Sequence, residues 1–247
     1  MFDDPRLVQF LIIVFAGTLT RATFGFGDAL VSMPFLVLLF GWEIAAPLIA
    51  LKSVVIAVII LSRDWKEVDF QSARWLILTA FVGIGFGLTI FRQLDKNWVL
   101  GLLGGMIVCT SAYALWQPKL VRLNNDRFAP AVGFIAGLLS GAYNTPGPPL
   151  VIYGAMRHWP AQKFRATMQA FFLPTSLLVV IGHGWAGRLT SELWEMFLLT
   201  LVVLPFALVL GRRINTRFRT ESFAGILHGL LLGIGGLLIY RAITLSA

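Results

Sequence analysis

Two cationic side chains lie within long apolar stretches of the sequence. Lys52 stands in the middle of PLIALKSVVIAV (47–58), and Arg21 follows the largely apolar residues 7–20. A charge at the centre of a bilayer costs at least about 2.5–3.5 kcal/mol on insertion scales, so such a residue marks a functional site by default. The planar guanidinium of Arg21 suits a group with two oxygens, such as a carboxylate or a sulfonate. Together the two residues predict a binding site for a small anion.

Each charged residue also has a structural interpretation. Lys52 could form an ion pair with Asp28 or bind a backbone carbonyl, and Arg21 could extend toward the membrane surface. Asp28 is interpreted first as the cap of a helix that restarts after Gly27. The alternative for Asp28 is a carboxylate that exchanges protons. The sequence leaves these alternatives open.

Two breaks rich in glycine and proline interrupt apolar stretches, at RATFGFGD (21–28) and at GAYNTPGPP (141–149). The flanking apolar segments are about 11–14 residues long, which is too short to cross a membrane alone. The stretches 7–40 and 129–157 are therefore each predicted to form one long broken helix or a re-entrant helical hairpin. Non-helical backbone persists within a membrane only inside protein or beside a water-filled cavity, so we expect the two breaks to meet.

The breaks offer neutral groups to an anion. Backbone N–H groups at 25–29 and 145–151, at the positive ends of the resuming helices, are expected to donate hydrogen bonds. Glycines would let a ligand approach the backbone closely, although glycine and proline also simply end packed helices. Polar side chains could bind the remaining oxygens or could bond across helices instead. The candidates are Thr23, Gly25, Gly27, Tyr143, Asn144, Thr145, Gly147 and Gln169, beside the charged Arg21, Lys52 and Asp28.

The composition is that of a protein embedded in a membrane. Of the 247 residues, 57% are hydrophobic and 13% are charged, against about 45–50% and about 25% in soluble domains. The net charge of +8 is attributed to basic loops rather than to nucleic-acid binding. The single cysteine, Cys109, excludes an internal disulfide and a cysteine-based metal site. There is no P-loop, dinucleotide-binding, HExxH or nucleophile-elbow motif, so no cofactor, metal site or enzymatic activity is predicted.

Six further apolar runs reach the length of about 20 residues that spans a bilayer. They are 44–62, 73–91, 97–116, 163–182, 193–211 and 221–240. Closely spaced glycines in two of these runs are interpreted as helix contacts, and they are Gly83, Gly85, Gly87, Gly229, Gly233 and Gly236.

The second half of the chain resembles the first. At a shift of 120 residues, Gly27 and Leu30 meet Gly147 and Leu150, among other identities. The predicted fold class is an all-α polytopic membrane protein with two inverted repeats, each a re-entrant or broken helical hairpin followed by three transmembrane helices. The first repeat covers 1–118, a cytoplasmic linker covers 119–127, and the second repeat covers 128–247.

The distribution of loop cations favours hairpins over broken spanning helices. If both broken stretches span the membrane, the loop Lys and Arg divide evenly between its two sides. If both are hairpins, Arg6, Arg92, Lys96, Arg188 and Arg241 lie on one side and the other thirteen loop cations on the opposite side. Basic loops stay in the cytoplasm, so both termini are predicted to be periplasmic.

Three short motifs point to a known family. GFGDALVSMPFL (25–36), its near-repeat GAYNTPGPPLVIYG (141–154) and RATMQAFF (165–172) resemble the TauE/SafE family of sulfite/sulfonate exporters and related permeases. The resemblance implies a permease of the bacterial inner membrane for small anions, including sulfite, sulfoacetate and other organic acids. Members often have a glycine-rich first break, whereas this chain has Asp28 and Ala29 there.

The function predicted is secondary active transport, as a probable exporter, of a small organic or sulfur-containing anion. Alternating access would come from one half moving against the other around a site at the two breaks. An anion channel or uncoupled permease is the alternative. Beside the anionic substrate and the lipid bilayer, protons as the coupling ion and a homodimer are the partners considered.

Overall fold

The computed structural model describes residues 5–93, 96–116, 122–217 and 220–244, so residues 119–121 of the predicted linker and both chain ends lie outside it. Every regular element in these ranges is helical, which confirms the all-α prediction. A 3-10 turn at Trp65–Glu67 follows the third α-helix. The ten α-helices of these ranges are α1 (Pro5–Phe24), α2 (Asp28–Phe40), α3 (Trp42–Asp64), α4 (Phe70–Gln93), α5 (Lys96–Trp116), α6 (Ala129–Tyr143), α7 (Gly147–Met156), α8 (Ala161–Trp185), α9 (Ser191–Arg217) and α10 (Thr220–Thr244).

The membrane character predicted from composition is confirmed by helix length and by the outward-facing side chains. Large apolar residues such as Phe81 and Phe86 on α4 and Leu198 and Phe206 on α9 are exposed, as expected for surfaces that contact lipid. Each of the six predicted spans lies within one long helix. Within the part of the chain that the structure describes, five helical segments are long and apolar enough to cross a membrane, namely Arg6–Phe24, Trp42–Glu67, Phe70–Ile90, Ala161–Trp185 and Ser191–Ile214.

The first break is shorter than predicted, and the helix before it is longer. α1 continues through Arg21 to Phe24 and is 20 residues long, so it is long enough to cross a membrane by itself. The hydroxyls of Thr20 and Thr23 donate to the carbonyls four residues earlier, which keeps both side chains compatible with the helix. The helix ends where Gly25 takes φ 86°, and α2 starts after Gly27 with φ 95°, conformations that glycine adopts without strain.

The chain reverses at the first break, so α1 and α2 form a helical hairpin. The rings of Phe10 and Phe40 are 6.0 Å apart near its open end, and the Ser32 hydroxyl donates to the carbonyl of Ile13. Near its tip, Gly17 lies directly against Asp28 and Ser32, where a larger residue would collide with both. The helices therefore run antiparallel at close range.

The chain also reverses at the second break. Asn144 ends α6 in the left-handed conformation, with φ 54°, and prolines occupy the first turn of α7, where the missing N–H groups cost nothing. At the far end of α7, Tyr153 donates to Asp126 over 2.8 Å, and the carbonyl of Met156 accepts from the amide of Leu123 over 2.8 Å. The end of α7 thus lies beside the segment that precedes α6, so α6 and α7 form the second hairpin.

The first long helices after the two hairpins, α3 and α8, run in opposite directions. On α3 and α8, Trp42 contacts His183 near one end, Ser53 bonds to Ser176 near the middle, and Asp64 pairs with Arg165 at the other end. α5 and α10 are also antiparallel, because Gly101 meets Ala242 whereas Gly104 meets Gly235. An inverted repeat requires its equivalent helices to run in opposite directions. These pairs support the inverted repeat, which stays a prediction together with its boundaries.

Only part of the predicted glycine packing is present. Gly83 and Gly87 on α4 lie against the backbone of α6, in the region of Gly137 and Gly141, and the two helices run parallel. Small residues allow this close approach. The prediction is wrong for Gly85 of α4 and for three glycines of α10, namely Gly229, Gly233 and Gly236. A methyl group added at any of these positions would meet no other side chain or helix within 4 Å in the described part of the chain. On α10 it is Gly235 that packs, against Gly104 of α5.

Candidate functional site

The two breaks meet at a small internal cavity. Its volume of about 30 Å³ is room for one water molecule rather than for an organic anion. Six of the predicted site residues line it, namely Arg21, Gly27, Asp28, Asn144, Thr145 and Gly147. The rest of the lining is Phe26, Ala29, Leu30, Ile49, Ser53, Pro146, Phe172 and Ser176.

Arg21 reaches the cavity from α1 and has only neutral hydrogen-bond partners in the described residues. Its Nε and Nη2 donate to Oε1 of Gln169 over 3.2 and 2.7 Å, and Nη1 donates to Oγ of Ser53 over 2.7 Å. The guanidinium carbon lies 4.6 Å from the ring centre of Phe172, a favourable cation–π contact. Because Arg21 is only 3% exposed, it does not extend to the membrane surface.

Gln169 holds Arg21 without lining the cavity. While its Oε1 accepts from the guanidinium, its Nε2 donates to the carbonyl of Gly25 over 2.8 Å. One amide side chain on α8 therefore fixes both the cation and the backbone of the first break. This makes Gln169 a positioning residue rather than a direct ligand.

Lys52 and Asp28 form a buried ion pair at the first break. Nζ of Lys52 lies 2.7 Å from Oδ1 of Asp28 and donates to the hydroxyl of Ser32 over 3.2 Å. Lys52 is fully buried and is absent from the cavity lining, because its amine is directed toward α2. The ion pair, one of the alternatives open from the sequence, is therefore the arrangement that the structure contains.

The interpretation of Asp28 as a helix cap is wrong. Gly27 occupies the N-cap position of α2, no side chain caps this end, and Asp28 is the first residue of the helix. A carboxylate in the first turn still interacts favourably with the helix dipole. Oδ1 of Asp28 receives both Lys52 and Ser32, whereas Oδ2 is buried and has no hydrogen-bond partner among the described residues.

Three further predicted residues lie outside the cavity lining. The hydroxyl of Thr23 donates to the carbonyl of Leu19 and faces that of Gly211 at 3.4 Å, so it faces α9. The backbone of Gly25 lies against Arg165. Tyr143 is buried among the apolar residues of the core. We attribute these positions to packing rather than to contact with a ligand.

The second break supplies fewer backbone donors than expected. Pro146, Pro148 and Pro149 have no N–H group, and the amide of Thr145 already donates to the carbonyl of Leu139 over 3.3 Å. This break instead presents side chains. Asn144 donates to the carbonyl of Ala46 over 2.8 Å, which fixes the tip of the second hairpin against α3.

The sequence analysis missed several cavity residues. Ser53 directly follows Lys52, and Ser176 lies seven residues after Gln169 on the same face of α8, so helical spacing from the candidate residues indicates both. Phe26 and Phe172 carry no such signal, because an aromatic residue in an apolar run is indistinguishable from a core residue.

Ion pairs close the end of the molecule where the predicted cytoplasmic loops meet. Lys163 pairs with Asp69 over 2.9 Å, and Arg165 pairs with Asp64 over 3.6 Å, each joining the first half to the second. We call these four residues the clasp. Burial opposes ionisation of Asp69, but hydrogen bonds from Lys163 and from the Ser72 amide outweigh it and lower the pKa of Asp69.

A larger cleft lies at the same face, with a volume of about 730 Å³. Asp69, Asp126, Arg157 and Lys163 line it, together with Asn124 and its neighbours, and neither break contributes to it. Its two acids are already paired, Asp126 with Arg157 and Asp69 with Lys163. We therefore place the functional site at the small cavity, where the hydrogen-bond acceptors of Arg21 in the described residues are all neutral.

Aromatic and cationic side chains close the opposite end. The guanidinium of Arg188 lies 4.3 Å from the ring centre of Trp42 and 3.2 Å from Nδ1 of His183. Trp42 in turn donates to the carbonyl of Ala142, just before the second break, over 3.1 Å. Among the described residues, no three His, Cys, Asp or Glu side chains lie close enough to hold a metal ion.

Comparison with known proteins identifies the family. The family model described as "Sulfite exporter TauE/SafE" matches residues 9–238. The chain belongs to the TauE/SafE family. It is thus a membrane transporter, and the predicted resemblance is confirmed.

Two similar proteins are described as a probable exporter and a probable transporter. A Cupriavidus necator protein described as "Probable sulfite/organosulfonate exporter TauE" is 26% identical over 182 residues, covering 73% of this chain and 70% of the relative. A Comamonas testosteroni protein described as "Probable inner membrane transporter protein TsaS" is 24% identical over 183 residues, covering 68% of this chain and 73% of the relative. No solved structure matches the chain.

Proposed function

We propose that this TauE/SafE member is a secondary transporter that exports a small sulfur-containing or organic anion across the bacterial inner membrane. The observation that carries the proposal is Arg21, a buried cation at the meeting point of both breaks whose hydrogen-bond acceptors are all neutral in the described residues. A buried charge is costly unless an opposite charge accompanies it. A bound anion would supply that charge.

The groups around Arg21 suit an oxyanion. The guanidinium can bind two oxygens of a sulfonate, sulfite or carboxylate at once. Amide N–H groups in the first turn of α2, from Asp28 to Leu30, have no carbonyl within the helix to bond and point along the positive end of its dipole. Asn144 and Thr145 line the same cavity from the second hairpin. Sulfite and organosulfonates, named for one relative, belong to this class of anion.

Alternating access requires the cavity to open to one side of the membrane at a time. The clasp closes one end, and Trp42 with Arg188 closes the other. A substrate must therefore enter after one set of contacts separates and leave after the other does, as in alternating access. Two occluding layers around a buried site favour a transporter over an open channel, and single-channel currents from the purified protein would indicate the channel instead.

The anion site is tested by neutralising Arg21. In proteoliposomes loaded with sulfite or sulfoacetate, Arg21→Gln is expected to lower the flux by about tenfold or more, the equivalent of 1.4 kcal/mol of lost binding. Arg74→Gln is the matched control, because Arg74 is an exposed arginine that contacts Trp75 on the surface of α4. In a thermal-shift assay, the same anions are expected to stabilise the wild type and the control but not Arg21→Gln. Wild-type flux through correctly inserted Arg21→Gln would refute the site.

A further inference from the structure

The charged groups at the cavity carry one net positive charge. Arg21 and Lys52 are cations, Asp28 is their one carboxylate, and these three are the charged side chains buried at the breaks in the described chain. We propose that Asp28 is a proton-binding site, and that its protonation state decides whether the transporter accepts a monoanion or a dianion. This inference rests on the anion transport proposed above.

The geometry of Asp28 singles out one oxygen for the proton. Oδ1 receives Lys52 and Ser32, whereas Oδ2 is buried without a hydrogen-bond partner in the described structure. Asp28 is 3% exposed and lines the cavity. A buried acceptor left without a donor is costly. A proton taken up on Oδ2 would convert this oxygen into a donor directed at a bound anion.

The surroundings of Asp28 allow a defined charge count. The charged groups that face it are Lys52 on α3 and Arg21 on α1, which interacts with it electrostatically. The polar groups that the other elements present at the cavity are neutral, namely Ser32 on α2, Asn144 and Thr145 at the second break, and Ser176 on α8. No other acid or base therefore sets the charge of this cavity in the described residues.

Because the site is buried, the charge of the bound anion has to balance the net charge of Arg21, Lys52 and Asp28. With Asp28 ionised, the single net positive charge is balanced by a monoanion such as an alkanesulfonate. With Asp28 protonated, Lys52 is no longer neutralised, the net charge is two, and a dianion such as sulfoacetate balances it. An unbalanced charge in a site shielded from water is strongly disfavoured. A dianion should therefore move together with one proton, and a monoanion without one.

The proposed proton transfer is balanced. On the loading side a proton from water adds to Oδ2 of Asp28, and on the release side it returns to water after the dianion leaves. Each cycle then carries one net negative charge outward for either class of substrate. An inside-negative membrane potential would accordingly drive the export of both.

The test uses two probe anions and a pH-sensitive dye trapped in proteoliposomes. For the wild type, sulfoacetate flux is expected to move one proton per anion, and ethanesulfonate flux to move none. Asp28→Asn fixes the net charge at two, so it should move sulfoacetate without protons and should lose ethanesulfonate flux by about tenfold or more. One proton per sulfoacetate in Asp28→Asn, or none in the wild type, would overturn the inference.

A rescue experiment covers the case in which Asp28→Asn does not fold. Breaking a buried ion pair is more damaging than removing both partners. In Lys52→Met the Arg21 and Asp28 charges cancel unless Asp28 takes up a proton, so ethanesulfonate flux should fall, and the flux that remains should move one proton per anion. Adding Asp28→Asn to Lys52→Met restores one net positive charge and should regain ethanesulfonate flux without proton movement. Failure of this rescue in an inserted double variant contradicts the charge count.

The outcomes separate this inference from the proposed function. If the wild type moves neither probe, anion transport itself is refuted, and the charge rule falls with it. If both probes move but neither is accompanied by protons, transport stands and only the role of Asp28 is refuted.

Discussion

At the scale of single residues, the site is organised around a difference between two buried cations. Lys52 has an anionic partner within hydrogen-bond reach, whereas Arg21 has amide, hydroxyl and aromatic partners. The sequence indicated both cations from their positions in apolar runs. It could not tell which one was already neutralised, because the chain reverses between α2 and α3 and so brings Asp28 beside Lys52 from 24 residues away.

Gln169 offers a way to neutralise Arg21 without removing it. Gln169→Glu places a carboxylate against the guanidinium at nearly the same volume, and the resulting ion pair would cancel the positive charge that the substrate needs. We expect anion flux to fall by about tenfold or more while the protein still inserts. Gln162→Glu, on the exposed start of α8, is the control with the same charge change. Unchanged flux in Gln169→Glu would argue against Arg21 as the anion ligand.

Gly17 is required for the ion pair to fit. A methyl group at this position would collide with the hydroxyl of Ser32 and with Asp28, so Gly17→Ala should destabilise the protein by about 1–3 kcal/mol through overpacking. Gly85→Ala is the matched control, since nothing lies within 4 Å of that position. At that position alanine should leave the stability of the protein unchanged or raise it by up to about 1 kcal/mol, because glycine inside a helix is less favourable than alanine. Thermal unfolding in detergent compares the two variants, and equal shifts would contradict the packing described.

At the scale of helices, the elements were more predictable than their ends. Long apolar runs predicted the six long helices, because burial in lipid requires a continuous apolar segment. The end of α1 was misplaced because Arg21 and Thr23 look like part of a break, although both continue the helix. The direction of α2 is set by contacts such as Phe10 with Phe40, which no local pattern contains.

The clasp should control access from the predicted cytoplasmic side. Asp69→Asn removes the charge that binds Lys163, so a cysteine placed at Ala29 in the cavity should react faster with an impermeant thiol reagent added from that side. Cys109→Ser provides the background, because Cys109 is exposed. Glu67→Gln, an exposed acid two residues away, should leave the labelling rate unchanged. Equal rates in Asp69→Asn and Glu67→Gln would contradict the role of the clasp.

The lowered pKa of Asp69 gives the clasp a pH range. A carboxylate with a lowered folded-state pKa contributes stability above its unfolded pKa and loses that contribution as pH falls through the folded value. The clasp should therefore be intact at neutral pH and weaken only in acid below the usual aspartate range. Its contribution is modest, because Lys163 is partly exposed and exposed ion pairs are weak.

At the scale of the whole molecule, the directions of the helices agree with the predicted topology. The end of α3, the start of α4, the segment before α6 and the start of α8 meet at one face through pairs such as Asp69 with Lys163 and Ser72 with Asp126. This arrangement follows if the two hairpins return to the side from which they enter. The loop charges alone indicated the same division, because basic loops remain cytoplasmic.

Fusions of reporter enzymes test this topology. Alkaline phosphatase, which is active only in the periplasm, should be active when fused after residue 247 and inactive when fused after residue 120. Green fluorescent protein should give the reverse result at the two positions. Fluorescence from the fusion at residue 247 would contradict the prediction that both termini are periplasmic.

The packing of α6 on α4 and of α1 on α9 means that each hairpin is held by helices of the other half of the chain. The two halves of the chain are interlaced, so a rigid body that moves during transport has to combine segments from both. The two sequence halves cannot then separate as independent lobes. A gene cut between codons 118 and 122 should yield two fragments that are each degraded when made alone and that assemble into an active transporter when made together.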